Sequence, residues 1–156
     1  IRYASVALIC FAFAPGHDWP EGSGFLVPRR ENRLITACTF YSQKWPADGN
    51  LFLVRCSVGR IDDERWMSMD ERKLEELVLG ELREIVGVKA QPQHTKTIRW
   101  NNSFPQYNVG HAERVTRTRS ILPPGISVAG AAFDGVGIPA CIRQGKQAAD
   151  EIDSFL

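Results

Sequence analysis

The sequence predicts an α+β fold in which a mostly antiparallel sheet is combined with helices. Three patterns predict this fold. Strand-like apolar runs joined by short turns fill the first 60 residues, one segment near the middle has helical periodicity, and the end of the chain has a strand-turn-helix pattern. The length of 156 residues, with 44% hydrophobic and 24% charged residues, is typical of an ordinary globular domain with a sizeable core.

Strand-like runs dominate the first 60 residues. The first run, residues 1–14, ends at a Pro-Gly pair, and three shorter runs follow at residues 24–28, 34–40 and 50–59. Residues 29–32 form a charged turn, and residues 46–49 (PADG) form a second turn. Because short turns connect antiparallel neighbours, we expect these strands to pair in antiparallel fashion.

The first run also imitates a secretory signal peptide. Residues 6–14 (VALICFAFA) follow Arg2 and end in an A-x-A pattern. The run is far too short to span a membrane, however, and the chain starts with Ile1 rather than Met. A buried strand explains the run, and a start inside a strand indicates a truncated protein.

A helix is predicted from residue 68 onward. Ser68 and Glu71 have the spacing of a capping box, and Gly87 is a typical C-terminal stop. Between them, apolar residues recur at intervals of three and four, at Leu74, Leu77, Val78, Leu82, Ile85 and Val86. The downstream pattern predicts a strand over residues 96–100, a helix over 111–121, a strand over 126–129 and a terminal helix over 139–156.

Charge and cysteine content exclude several classes of partner. With 19 basic and 18 acidic residues the formal charge is +1, so no nucleic-acid partner is indicated. The cysteines are scattered without a C-x-x-C pair, which predicts neither a metal site nor a redox dithiol; they are Cys10, Cys38, Cys56 and Cys141. Buried thiols of this kind indicate a reducing, cytoplasmic compartment.

The stretch that most suggests chemistry is residues 130–145 (GAAFDGVGIPACIRQG). A glycine turn followed by a helix start directs unpaired N–H groups and the positive end of the helix dipole at a ligand. Residues 135–140 match G-x-G-x-x-A, but no second strand with an acidic residue follows, so the match is not a Rossmann fingerprint. The structural alternative is a turn that only packs the helix on the strand.

Three segments, in order, resemble the protoporphyrinogen and coproporphyrinogen oxidases of the flavin amine oxidase superfamily. Residues 128–145 (VAGAAFDGVGIPACIRQG) are similar to the C-terminal flavin-contact signature of that family. Residues 100–111 (WNNSFPQYNVGH) resemble its W-x-x-x-x-P-Q-Y-x-x-G-H segment, and residues 22–46 resemble its G-x-G-x-L-V-P strand and following hairpin. The N-terminal G-x-G-x-x-G and the ribose-binding acid of the family are absent from this sequence.

The resemblance implies a two-domain flavoprotein. Residues 1–122 would be a portion of the substrate-binding domain, and residues 123–156 the C-terminal segment of an FAD-binding, Rossmann-like domain whose N-terminal portion is missing. The implied reaction is dehydrogenation of protoporphyrinogen IX or coproporphyrinogen III in haem biosynthesis, with FAD as cofactor and molecular oxygen as acceptor. The fragment is expected to be inactive alone, and peripheral membrane association is left open.

Two other functions are compatible with the same residues. One is a different flavin amine oxidase or a carotenoid desaturase, and the P-Q-Y-x-x-G-H segment argues against both. The other is a binding domain that has the fold without the cofactor, which the missing dinucleotide fingerprint favours.

Site residues follow from the resemblance. Those expected to bind the cofactor are Trp100, Ala131, Val136, Gly137 and Ile138. Phe40 is expected to pack against the tetrapyrrole, and a role in the core is the alternative for Trp100 and Phe40. No catalytic acid or base is assigned, because the cofactor carries the chemistry, and His111 is interpreted as structural. Four arginines suit substrate propionates but are not assigned to the site: Arg29, Arg30, Arg33 and Arg99.

Overall fold

The computed structural model describes residues 1–45 and 49–154. These residues form two compact units, one of residues 4–103 and one of residues 1–3 with 104–154. The predicted boundary between residues 122 and 123 concerns the cofactor domain of a longer protein, and it stays a prediction.

The first unit is built on a five-stranded sheet, and its antiparallel pairing is as predicted. The strands in chain order are β1 Tyr3–Phe13, β2 Gly24–Leu26, β3 Ile35–Phe40, β4 Phe52–Val58 and β5 His94–Pro105. In the sheet their order is β2-β3-β4-β1-β5. A bulge shifts the register of β3 against β4 between Ile35 and Ala37.

Four helices accompany the sheet. They are α1 Tyr41–Lys44, α2 Glu71–Val86, α3 His111–Ser120 and α4 Ile138–Asp153. The charged turn after β2 is a single 3-10 turn over Arg29–Glu31. Helix α1 was not predicted, because four residues are too few to establish a helical period. Of the predicted turn at residues 46–49, residues 46–48 lie outside the described residues. No helix within the described ranges is long and apolar enough to cross a membrane.

Two local predictions were wrong. Helix α2 is capped by Asp70, whose carboxylate accepts a hydrogen bond from the Lys73 N–H at 2.8 Å. Ser68 is therefore not the cap, although both residue types are good caps and the Ser68 spacing favoured it. Residues 126–129 form no strand, because no described segment of the chain offers them a strand to pair with. The predicted end of the helix at Gly87 is confirmed. Gly87 has a left-handed backbone conformation, and its N–H donates a hydrogen bond to the Arg83 carbonyl.

The core lies between α2 and one face of the sheet. Alternate residues of β1 point to this face and are fully buried, namely Ala7, Ile9, Phe11 and Phe13. Helix α2 contributes its own buried stripe to the same cluster, Leu74, Val78 and Leu82. Burying these side chains supplies the main driving force for folding, at ~25 cal/mol per Å² of apolar surface.

Polar contacts fix where α2 sits on the sheet. The Glu81 carboxylate accepts hydrogen bonds from the backbone N–H groups of Leu34 and Ile35, both at 2.9 Å. On β5, the Thr97 hydroxyl donates to the Glu75 carboxylate at 2.7 Å. These contacts tie one helix to the start of β3 and to β5, so the register of α2 against both strands is set.

Removing the Glu81 carboxylate tests this arrangement. We expect Glu81→Ala to lower the free energy of unfolding by about 1–3 kcal/mol, because the N–H groups of Leu34 and Ile35 lose their acceptor. Urea denaturation of the purified chain measures the change. The matched control is Glu76→Ala on the same helix, which removes only an exposed pair with Arg72 at 3.6 Å and is expected to change stability little. Equal losses in the two variants would contradict the proposed role.

Candidate functional site

Residues 130–137, here called the glycine loop, lead into α4 in the second unit. Gly130 and Gly135 have φ values of +124° and +107°, which L residues with a side chain rarely adopt. A Cβ on Gly135 would also lie 2.8 Å from the Cβ of Ala140. The loop itself therefore requires these glycines.

The hydroxyl of Tyr107 bridges the two sides of the glycine loop. It accepts a hydrogen bond from the Gly135 N–H and donates one to the Ala131 carbonyl, each at 2.6 Å. The Tyr107 ring stacks on the His111 ring, with centroids 3.9 Å apart and planes 11° apart. One side chain thus satisfies two backbone groups that lie four residues apart.

His111 holds the middle of the glycine loop. Its Nε2 lies 2.9 Å from the Phe133 carbonyl oxygen. Since a carbonyl only accepts, Nε2 carries the hydrogen in this contact. The residue is 8% exposed. This placement agrees with the interpretation of His111 as structural.

Gln144 secures the glycine loop from α4. The side chain is 2% exposed, and its Oε1 accepts from the N–H groups of Gly130 and Asp134, both at 3.3 Å. Its Nε2 donates to the Gly135 carbonyl at 3.5 Å. The hydrogen bonds to three backbone groups offset the cost of burying the amide, and they fix the conformation of the glycine loop.

The segment before the glycine loop is also tied to α4. The Ser127 hydroxyl donates to the Glu151 carboxylate at 2.5 Å, and Gln147 donates to the same carboxylate at 3.0 Å. The hydrogen bond from Ser127, followed by that from Gln147, lowers the pKa of the Glu151 carboxyl. Residues 126–129 are thus positioned by a side chain of α4 rather than by strand pairing.

Helix α4 begins without a side-chain cap. Gly137 is the N-cap residue, and among the described residues the N–H groups of Val136, Gly137 and Ile138 donate to no acceptor. The flanking side chains are apolar and exposed, with Val136 at 43% and Ile138 at 77%. The start of α4 therefore combines unpaired donors, the positive end of the helix dipole and an apolar surface.

Gly137 has no conformational need to be glycine. Its φ of −74° suits any residue, and a Cβ placed there would come no closer than 3.8 Å to the Cδ of Pro139. The backbone at the start of α4, where the unpaired N–H groups lie, therefore carries no Cβ at this position. The four residues predicted to approach a cofactor, Ala131, Val136, Gly137 and Ile138, all lie in this glycine loop and the first residue of α4.

Trp100 and Phe40 lie in the sheet unit, on opposite faces. Side chains alternate along β5, and Thr97 points to α2, so Trp100 belongs to the face that α2 leaves open; it is 49% exposed. Phe40 is 3% exposed and contacts the rings of Trp19, Phe25 and Phe52. This placement matches the core alternative for Phe40, and its contact with a substrate stays a prediction.

Three of the four arginines suited to propionates have a partner within the described chain, and for Arg30 it is the exposed Glu31 carboxylate at 3.5 Å. Arg33 donates to the Glu84 carboxylate at 2.6 Å. Arg99 donates to the Met69 carbonyl at 2.7 Å and lies over the Trp66 ring. In the described part of the chain, no three His, Cys, Asp or Glu residues are grouped closely enough to hold a metal ion.

Sequence reasoning did not single out Tyr107 or Gln144. Tyr107 lies inside the P-Q-Y-x-x-G-H segment, and its partners are 24 and 28 residues away, so no local pattern predicts the contacts. Gln144 had a weak signal. It is a polar residue on the face of α4 that packs inward, where an amide requires hydrogen-bond partners.

Comparison with known proteins relates the whole chain to one family. A model of the family described as flavin containing amine oxidoreductase matches residues 1–153. The coproporphyrinogen III oxidase of Bacillus subtilis is 37% identical over 159 aligned positions, which cover 97% of this chain and 34% of that protein. The protoporphyrinogen oxidase of Bos taurus is 27% identical, with coverage of 97% and 34%.

A solved structure has the same fold. It is that of a protein from Exiguobacterium sp. 255-15, assigned as a protoporphyrinogen oxidase, with a TM-score of 0.90, 34% identity and coverage of 98% of this chain and 35% of that chain. Reduced UDP-galactopyranose mutase shares the fold more distantly, with a TM-score of 0.51 and 13% identity. The chain spans about a third of the length of the relatives it matches.

Removing the Tyr107 hydroxyl tests the bracing of the glycine loop. In Tyr107→Phe, we expect hydrogen exchange of the Gly135 amide to accelerate by about tenfold or more, because this N–H loses its acceptor and the loop opens more often. Exchange measured by NMR or mass spectrometry gives the rate. Tyr41→Phe removes an exposed hydroxyl elsewhere and should leave the Gly135 rate unchanged. An unchanged rate in Tyr107→Phe would show that the hydroxyl does not hold the loop.

Proposed function

The chain belongs to the flavin containing amine oxidoreductase family, and from this premise we propose that it is part of an FAD-dependent oxidase that dehydrogenates a porphyrinogen to the porphyrin, with molecular oxygen as the final acceptor. Support comes from relatives that are named coproporphyrinogen III oxidase or protoporphyrinogen oxidase and match nearly all of the chain. Bound FAD would supply hydride acceptance.

The observation that carries the proposal is the start of α4. The unpaired N–H groups of Val136, Gly137 and Ile138 suit the polar edge of an isoalloxazine, and the exposed Val136 and Ile138 side chains suit its flat apolar rings. The absence of a Cβ at Gly137 lets a ring system approach the backbone. The residues present thus fit a flavin.

This chain would contribute electrostatics and positioning. N–H groups at a helix start favour the negative charge that a reduced flavin carries on its polar edge. Such stabilisation is effective only if the donors are fixed in advance. Tyr107, His111 and Gln144 provide that rigidity, because they satisfy the backbone groups immediately before the donors. No side chain of the site is assigned a proton-transfer role.

The remaining part of the same protein is the proposed partner of α4. An exposed stripe runs along the helix at a spacing of three and four residues: Ile138, Ile142, Gly145 and Ala149. A Cβ on Gly145 would meet nothing within 4 Å, although glycine inside a helix costs ~1 kcal/mol relative to alanine. Close packing against another segment, which supplies the pyrophosphate and ribose contacts of FAD, accounts for both features.

The proposed substrate is coproporphyrinogen III, and the proposed compartment is the cytoplasm. Relatives from Bacillus subtilis, Mycobacterium tuberculosis and Staphylococcus aureus, each at least 35% identical, are named for coproporphyrinogen III. All four cysteines of the chain are free, which suits a reducing compartment.

Turnover tests the proposed function. The longer protein that contains this chain is expected to bind FAD, to convert coproporphyrinogen III to fluorescent coproporphyrin III, and to consume oxygen in proportion. The 156-residue chain is the control, and it should retain no flavin and give no turnover, because it lacks the dinucleotide fingerprint. A longer protein that binds FAD but oxidises neither porphyrinogen would refute the proposed substrate class.

Substitution of Gly137 tests the cofactor contact. In the longer protein, Gly137→Val is expected to abolish flavin binding, because the side chain would occupy the surface over the unpaired N–H groups. Flavin absorbance of the purified protein, near ~450 nm, measures the loss. Gly80→Ala on α2 is the control: nothing lies within 4 Å of the added Cβ, so flavin content should stay full and stability rise slightly. Full flavin content in Gly137→Val would show that the turn does not contact the cofactor.

A further inference from the structure

An apolar groove lies on the face of the sheet that α2 leaves open. Its volume is about 540 Å³, within the range of small-molecule sites, ~300–1,000 Å³. Its apolar lining comes from three adjacent strands, with Leu8 and Cys10 on β1, Leu53 on β4 and Ile98 on β5. Leu53 lies on the central strand β4 and is 38% exposed, and Ile98 lies on β5 at the edge of the described sheet and is 40% exposed, so both aliphatic side chains are open to a ligand on this face.

Two cations flank this apolar surface, Arg55 on β4 and Lys96 on β5. Within residues 1–45 and 49–154, neither of them takes part in an ion pair. The Nε of Arg55 is buried and has no acceptor there. By contrast, Arg33 and Arg99 face the α2 side and are held by acceptors of this chain. The groove therefore presents two positive charges that the described chain leaves uncompensated.

The sheet sets the spacing of the two cations. Arg55 is directly opposite Cys10 in the pairing of β4 with β1. On the other side of β1, the Gln93 N–H donates to the Ala12 carbonyl, which puts Lys96 close to the level of Cys10. Two interstrand spacings of about 4.8 Å separate the backbones of Arg55 and Lys96 by roughly 10 Å, with the apolar floor between them.

We infer that the groove binds one face of a tetrapyrrole and that Arg55 and Lys96 select carboxylates on opposite edges of the ring. This inference rests on the proposed function and deepens it, and it leaves Phe40, which is buried on the opposite face of the sheet, in the core rather than against the tetrapyrrole. A coproporphyrin carries a propionate on each of its four pyrroles, so a carboxylate is available at both edges. Protoporphyrin IX carries two propionates on neighbouring pyrroles, so both lie at one edge. The positions of the two charges thus favour coproporphyrin, whereas the apolar floor can contact the ring of either porphyrin.

Porphyrin binding to the 156-residue chain tests the inference without requiring catalysis. The probes are coproporphyrin III, its uncharged tetramethyl ester and protoporphyrin IX, each titrated by porphyrin fluorescence. We expect coproporphyrin III to bind at least about tenfold more tightly than the other two, since only its carboxylates meet both cations. Equal affinity for coproporphyrin III and its tetramethyl ester would overturn the inference, whatever the behaviour of any variant.

Variants locate the contact. Arg55→Gln and Lys96→Gln are each expected to weaken coproporphyrin III binding about tenfold and to leave the tetramethyl ester unaffected. The control is the double variant Arg72→Gln/Lys73→Gln, which removes two positive charges from exposed positions of α2 on the covered side of the sheet. Comparable weakening in the control would mean that net charge, rather than the groove, attracts the ligand, and would refute the inference.

The longer protein separates this inference from the proposed function. There, Arg55→Gln and Lys96→Gln should raise KM for coproporphyrinogen III about tenfold, with kcat and flavin content retained. If porphyrinogen oxidation occurs with KM unchanged in both variants, the proposed function stands and the groove inference fails. If the groove binds coproporphyrin III as described but the longer protein oxidises no porphyrinogen, the groove inference stands and the proposed function fails.

Discussion

The seating of α2 on one face of the sheet is the constraint on which the rest of the first unit depends. Because side chains alternate along each strand, covering one face commits half of every strand to the core and leaves the other half outside. Glu81 and Glu75 hold the helix to the start of β3 and to β5, so its position on the sheet, and with it the set of residues that it covers, is fixed. Phe40 consequently lies in the core, and Trp100 lies on the open face together with the groove.

Periodicity explains which elements could be predicted from the sequence. Strands β1 and β4 have long apolar runs, and α2 has six apolar residues in helical register, so their existence followed from burial alone. The cap of α2 was misplaced by two residues, because Ser68 and Asp70 are both good caps and only the backbone decides between them. The strand predicted at residues 126–129 failed for another reason: an apolar composition does not reveal whether a partner strand is present.

The candidate site could be located from the sequence but not constructed from it. Glycines, a proline and a following helix marked residues 130–145, and the structure has a glycine loop and a helix start there. The side chains that hold the glycine loop come from distant positions, since Tyr107 is 28 residues from Gly135. The partners of the arginines could not be predicted either, because the sequence does not show which hydrogen-bond acceptors the fold brings close to a guanidinium.

The glycines of the last 30 residues fall into two groups: those that the conformation of this chain requires, and those that it does not. Gly135 is explained internally, by its positive φ and by the Cβ of Ala140. Gly137 and Gly145 are not, since both have room for a side chain and neither has an unusual φ. Room for a Cβ alone does not indicate an outside contact, since Gly80 in α2 has it too; what distinguishes Gly137 and Gly145 is where they lie. Gly137 lies at the unpaired N–H groups and Gly145 on the apolar stripe of α4, which is where a flavin and the rest of the protein would have to approach.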